Sequence, residues 1–481
     1  MSVRHSMAFF SRLAVVALTI LVLTSAGASA AGADAPHLDG RQFGLIWILP
    51  FAGILLSIAI MPLAAPSFWH HHFGKVAAGW ALAFLLPFLY FFGFKLTLHE
   101  LLHTLLLEYI PFLILILALF TVAGGIYVSG NIHGTPAMNT AILGIGTVIA
   151  SWVGTTGASM LLIRPIIRAN DDRVHNAHVI VFFIFLVSNI GGALTPLGDP
   201  PLFLGFLQGV DFFWTTKHLF MPTLLLAVVL LTLFFALDSY LYAKEGRTKR
   251  DPTPDSPITL QGKVNFILLG VLVAVVLASG LVKTLGTVHI YTVEVDIKSI
   301  LRDVALVGVA LLSLKLTPKA VREANAFTWG PGLEVAKLFA GIFITIIPAI
   351  AMLRAGSEGA MSGIVNMVSS ADGSPNNFAY FWLTGILSSF LDNAPTYLVF
   401  FNAAGGKADV LMTTLATTLA AISAGAVFMG ANTYIGNAPN FMVKSIAEEN
   451  GVKMPSFFGY MLWSFGILVP LFLVISLLFY R

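Results

Sequence analysis

Runs of about twenty apolar residues recur along this chain, parted by short polar or charged breaks, and about twenty is the length a membrane-spanning helix needs. Ten runs qualify: 43–64, 74–94, 109–129, 178–207, 217–241, 264–286, 299–316, 333–353, 411–441 and 457–479. Two further stretches, 137–168 and 378–404, are apolar at their ends and polar in the middle. The first centre reads Ser151-Trp152-Val153-Gly154-Thr155-Thr156-Gly157-Ala158-Ser159. The second reads Ser388-Ser389-Phe390-Leu391-Asp392-Asn393-Ala394-Pro395-Thr396. Each is either one span with a weak centre or two half-helices meeting at a polar tip. Irregular backbone at membrane depth is tolerated only where protein or water surrounds it.

The pattern repeats. The segment Gly192-Ala193-Leu194-Thr195-Pro196-Leu197-Gly198-Asp199-Pro200-Pro201-Leu202-Phe203 aligns with 430–441 at an offset of 238, with six of twelve pairs identical. The same offset lays Ser151 on Ser389, and so one polar tip on the other. Glycines and prolines in both segments predict helices that break mid-span, because proline lacks an amide donor and glycine permits an unwound turn.

Composition fixes the class. Hydrophobic residues make up 57% and charged residues 10%, against roughly 25% charged in soluble domains. The mean hydropathy of +0.89 agrees. Soluble domains, disorder and coiled coil are excluded, and the fold expected is an all-α polytopic membrane protein with about ten transmembrane helices, two re-entrant hairpins and broken helices. The net charge of +3 gives no nucleic-acid surface. Cysteine is absent, which excludes disulfides and thiolate metal sites.

Residues 1–30 read as a signal peptide, or else as an uncleaved first helix. Arg4 and Arg12 precede an apolar stretch, Leu13 to Thr24, and an A-x-A site, Ala28-Ser29-Ala30. Cleavage would leave the mature N-terminus outside the cytoplasm of a bacterial-type inner membrane. Basic residues mark cytoplasmic loops, and the densest block, Lys244 to Arg250, then falls inside. Segment 43–64 would run inward and 264–286 outward. The chain thus reads as two inverted repeats, 43–241 and 264–480, joined by a cytoplasmic linker at 242–263. Inverted repeats with broken helices mark secondary transporters with a site near the midplane. No enzymatic activity, resident metal or cofactor is expected.

Two carboxylates fall inside this pattern, Asp199 at the first break and Asp392 at the second tip. An ionisable group in the membrane is a functional-site hypothesis by default, although Asp also caps helices. Oxygen-bearing neighbours suit a hard cation. Ser151, Thr155, Thr156 and Thr195 are the candidates in the first half, and Ser389, Asn393, Asn432, Thr433 and Asn437 in the second. Sodium and a proton would compete for such carboxylates, which is the minimum machinery of antiport.

The runs Asn189-Ile190-Gly191-Gly192-Ala193 with Gly198-Asp199-Pro200-Pro201, and Ser389-Phe390-Leu391-Asp392-Asn393-Ala394-Pro395-Thr396, resemble the ion transporter superfamily. Within it the chain is most similar to NhaD-type sodium/proton antiporters, arsenite/P-protein permeases and citrate-transport proteins. The resemblance implies an inverted-repeat fold with two hairpins, a homodimer, and secondary active transport by alternating access. The tips depart from the Ser-Asn-Thr of sodium-coupled dicarboxylate carriers, reading Gly154-Thr155-Thr156 and Asp392-Asn393-Ala394. Two acids would also repel a carboxylate substrate, by about 4 kcal/mol per contact at 4 Å and an effective dielectric near 20. Sodium/proton antiport is therefore the first expectation, and a sodium- or proton-coupled citrate or dicarboxylate carrier the second.

Other motifs compete. His99-Glu100-Leu101-Leu102-His103 fits H-E-x-x-H, a zinc-protease pattern, in what reads as an amphipathic interfacial stretch. Leu38-Asp39-Gly40, which could supply a third ligand, lies upstream. His70-His71-His72 reads as a solvated loop. His175 and His178 are headgroup-level residues or proton relays. Lys337 pairs with Glu334, snorkels, or reaches the site as a counter-charge.

Overall fold

The computed structural model describes residues 36, 38–245, 256–282 and 284–481. The expected signal peptide lies outside them, as do Arg247, Lys249 and Arg250 of the linker. Among the described residues seven helices are long and apolar enough to cross a membrane, or eight if the bent pair Gly330–Thr345 and Ile347–Arg354 is one span. The chain is an all-α polytopic membrane protein.

The difference from ten spans has local causes. The expected spans at 178–207 and 411–441 are broken: Ala177–Leu194 is still long enough to count, whereas the pieces of the second are too short, and one half of the first polar-centred stretch, Pro136–Val153, counts by itself. The span expected at 299–316 is the helix Ile297–Leu316, which carries Lys298, Arg302, Asp303 and Lys315. The spans at 74–94 and 109–129 join into one helical run, Pro66–Ala123. It bends at Gly93 (φ 78°) and loosens into a π turn at Leu105–Tyr109. No loop holds His70 to His72. Ahead of them the backbone leaves the helical region at Ala65, and Pro66 restarts a helix at its first position, where proline loses no hydrogen bond.

Two short ribbons went unforeseen. Tyr127–Asn131 pairs antiparallel with Ser256–Gln261, so part of the expected linker is strand. Thr287–Ile290 pairs with Val293–Asp296 across a tight turn.

The chain divides into two compact units, each drawing on both sequence halves. Among the described residues, one holds those up to 122 with 264–318 and 326–365; the other holds those from 123 to 263 with 319–325 and 366–481. The sequence halves are therefore not the compact units. In the first unit Phe43, Phe88 and Phe92 stack, with ring centroids 4.8–6.3 Å apart, and Trp47 packs edge-on against them.

The second unit contains both polar-centred stretches and both broken helices. Its segment Ala177–Leu194 is 89% buried, against 22% for Val264–Leu281 in the other unit. Protein rather than lipid surrounds the break, which is the condition for irregular backbone. The same unit buries an ion-pair network. Arg173 donates to Asp238 at 2.8 Å and to Glu245 at 3.1 Å, and His178 meets Asp238 at 2.9 Å. His178 is thus held by a carboxylate. Arg173→Ala leaves two carboxylates without their cation and is expected to cost about 3–5 kcal/mol. Thermal unfolding of purified protein checks this; an unchanged midpoint would show the network to be dispensable.

Candidate functional site

Both polar-centred stretches are pairs of helices. Pro136–Val153 and Thr155–Ala169 meet at Gly154, whose φ of 79° suits glycine and few other residues. Asn377–Phe390 and Asn393–Ala403 meet at Leu391 and Asp392. Each tip lies against a break. The first break runs from Ala177–Leu186 through a 3₁₀ turn, Ile190–Leu194, to Pro200–Leu207. The second runs from Ala416–Met429 through Gly430–Asn432 to Ala438–Glu449.

The same bond braces both tips at the same offset. Thr195 Oγ1 donates to the Ser151 carbonyl, and Thr433 Oγ1 donates to the Ser389 carbonyl. Ser151 Oγ donates to the Gly191 carbonyl at 2.5 Å and accepts from Leu194 N at 3.1 Å. Ser389 Oγ lies 2.8 Å from the Gly385 carbonyl and accepts from Asn432 Nδ2 at 2.9 Å. Thr195 Oγ1 accepts from Leu197 N, and Thr433 Oγ1 from Ile435 N and Gly436 N. These four hydroxyls, expected as cage oxygens, therefore tie each tip to its break.

Asp199 is where the halves meet. Its carboxylate accepts from Thr155 Oγ1 at 3.0 Å, Asn437 Nδ2 at 3.1 Å and Asn393 Nδ2 at 2.5 Å. Asp199 begins the helix Pro200–Leu207 yet its side chain makes no capping bond to it, and the Asn437 side chain likewise does not cap Ala438–Glu449. Asp199 is 2% exposed and forms no ion pair with any described residue. The sequence suggested one cage per half. The structure instead brings Thr155 and Asp199 together with Asn393 and Asn437 in one cluster.

Two amide oxygens at the second tip and break, Asn393 Oδ1 and Asn432 Oδ1, are buried with no hydrogen-bond partner. Buried polar atoms are nearly always satisfied, and an orphan needs an explanation such as a bound ion. Carboxylate, hydroxyl and amide oxygens form a donor set suited to a hard cation.

The remaining candidates fall outside the cluster. Asp392 caps the second hairpin's return helix, accepting from Ala394 N at 3.1 Å, while its carbonyl accepts from Thr396 Oγ1. Thr156 is half-buried and makes none of these bonds. Two buried residues were missed as site members. Asn189 Oδ1 accepts from Asn437 Nδ2 at 3.2 Å, and its Nδ2 donates to Asn440 Oδ1 at 2.7 Å. Asn440 Nδ2 donates to the Gly430 and Thr433 carbonyls. The repeat held a signal for Asn440, because it aligns with apolar Leu202.

In the other unit, Lys337 lies over the Phe73 ring at 5.3 Å. Among the described residues no three His, Cys, Asp or Glu side chains are placed to hold a metal. Asp39 is engaged by Arg41 at 2.9 Å. The protease pattern therefore lacks its third ligand.

The family model described as Putative citrate transport matches residues 40–480. The chain belongs to this family. Membership covers both tips and both breaks, and it supports a secondary transporter rather than an enzyme. No curated protein matches the chain.

Proposed function

We propose that this membrane protein is a cation-coupled secondary transporter of a citrate-class carboxylate, with Asp199 as the residue that binds the coupling sodium ion or proton. The observation that carries this is the Asp199 cluster, a buried carboxylate held only by neutral donors from both halves. A bare carboxylate there repels a carboxylate substrate by about 4 kcal/mol at 4 Å and an effective dielectric near 20. A cation or proton on Asp199 removes that repulsion, so cargo and coupling ion bind together. The family match supports citrate as the cargo class. The two inverted halves would supply alternating access.

Sodium/proton antiport is the second reading. It is favoured by the cluster itself, in which, among the described residues, no cationic side chain hydrogen-bonds Asp199 to receive an anion.

Purified protein in liposomes separates the two. Labelled citrate and an internal pH dye are followed while sodium and proton gradients are imposed. Gradient-driven citrate accumulation supports the first reading. A sodium-driven pH change without citrate uptake supports antiport. Neither response, in protein that elutes as folded, overturns both.

The same assay assigns Asp392. Asn caps helices as well as Asp does, so Asp392→Asn is expected to keep its cap and most of its transport. Complete loss in that variant would make Asp392 a second coupling carboxylate.

A further inference from the structure

The H-E-x-x-H stretch belongs to the unit that does not contain Asp199, and it faces a cavity of about 650 Å³. His99 and His103 both line this cavity, one helical turn apart, with ring centroids 6.1 Å apart. His99 Nδ1 lies 2.7 Å from Thr292 Oγ1 in the turn of the ribbon 287–296. That bond fixes the ring and leaves Nε2 as its other nitrogen, the arrangement that orients histidine ligands in metal sites. His103 is only half-exposed, yet it makes no hydrogen bond to any described residue. The cavity wall also carries Asp39, Glu100, Glu108 and Glu358 against Arg41 and Arg354, an excess of negative charge when the imidazoles are neutral.

We propose that His99 and His103 form a two-histidine clamp for a divalent transition-metal ion of the zinc class, with water completing its shell. Histidines at i and i+4 on one helix face can share an ion, at Zn–N distances of about 2.0–2.1 Å. With His99 held by Thr292, the clamp requires the His103 ring to turn toward His99 Nε2 within the cavity. The acidic wall raises the local cation concentration.

The test uses the full chain carrying His70→Gln, His71→Gln and His72→Gln, which removes the other histidine cluster. Cu²⁺ is bound as a spectroscopic probe, and coordinated nitrogens are counted by electron paramagnetic resonance. Two imidazole nitrogens are expected, falling to one in His103→Gln, while Zn²⁺ affinity by calorimetry drops by at least about tenfold. A spectrum and affinity unchanged by both His99→Gln and His103→Gln would overturn the clamp. Should either variant fail to elute as folded protein, diethylpyrocarbonate labelling of the unaltered chain decides. Protection of His99 and His103 by Zn²⁺ supports the site, and full labelling at saturating Zn²⁺ refutes it. No readout depends on transport, so the proposal stands or falls apart from the Asp199 reading.

Discussion

Asp199→Asn is expected to abolish gradient-driven transport while leaving the protein folded. One carboxylate oxygen accepts from Thr155 and Asn437, and the other accepts from Asn393. An amide at this position must turn its own nitrogen toward one of those amide donors. Asn393 can absorb the conflict by flipping, because its Oδ1 has no partner to lose. The bond to position 199 is then restored, with one unpartnered atom of Asn393 replacing another, and little stability is lost. The charge is not recovered. A unit charge about 4 Å from a bound cation is worth about 4 kcal/mol at an effective dielectric near 20, so cation affinity falls by about a thousandfold. The check is citrate uptake under sodium and proton gradients, beside a thermal midpoint for the same preparation. A native midpoint with no uphill uptake is the expected pair. Uphill uptake at the original rate would remove Asp199 from the coupling site.

Much of this cluster could be read from residue order, and the reasons are physical. Hydrophobic runs and proline-bearing breaks are local features, so helices, hairpins and broken segments follow from them. The braces Thr195–Ser151 and Thr433–Ser389 repeat at one offset because each half builds the same tip and break from the same hydroxyls. Partnership across halves is not local. Asp199 faces Asn437 at a separation of 238 residues, and nothing near Asp199 in the chain encodes that meeting. This is why one cage per half was expected where the structure has one shared cluster. The same limit hid the ribbon joining Tyr127–Asn131 to Ser256–Gln261. Nor does residue order show that Asp392 accepts from Ala394 N and so caps the return helix. The compact units were illegible for a related reason, since each is assembled from both halves.

Gly198→Ala is expected to damage the site more than any other single methyl group added to the broken helices. A Cβ at Gly198 would lie 2.1 Å from the Gly192 carbonyl oxygen and 2.7 Å from its carbon. Both are backbone atoms, so no side-chain rotation relieves the clash. The break closes on itself here, and glycine is required by the approach of one backbone to another. Gly198 also carries the carbonyl that accepts from Thr155 N at 2.8 Å, and it immediately precedes Asp199. Relief of the clash must therefore move the hairpin tip, the carboxylate, or both. Overpacking costs about 1–3 kcal/mol, and a shift of about 1 Å at a preorganised site costs about a hundredfold in rate. Both a lowered thermal midpoint and near-complete loss of uptake follow. Gly436→Ala is the repeat's own comparison, because its Cβ would meet the Gly430 and Ser388 carbonyls at 2.6 and 2.7 Å. It should destabilise similarly, but it disturbs Asn437 rather than Asp199 and so should retain more transport. Gly270→Ala is the control. Nothing lies within 4 Å of a Cβ there, and alanine in a helix interior gains about 0.5–1 kcal/mol over glycine. If Gly198→Ala instead matches the Gly270 control in both midpoint and uptake, the break does not hold Asp199 in place, and its geometry cannot be what tunes the cation site.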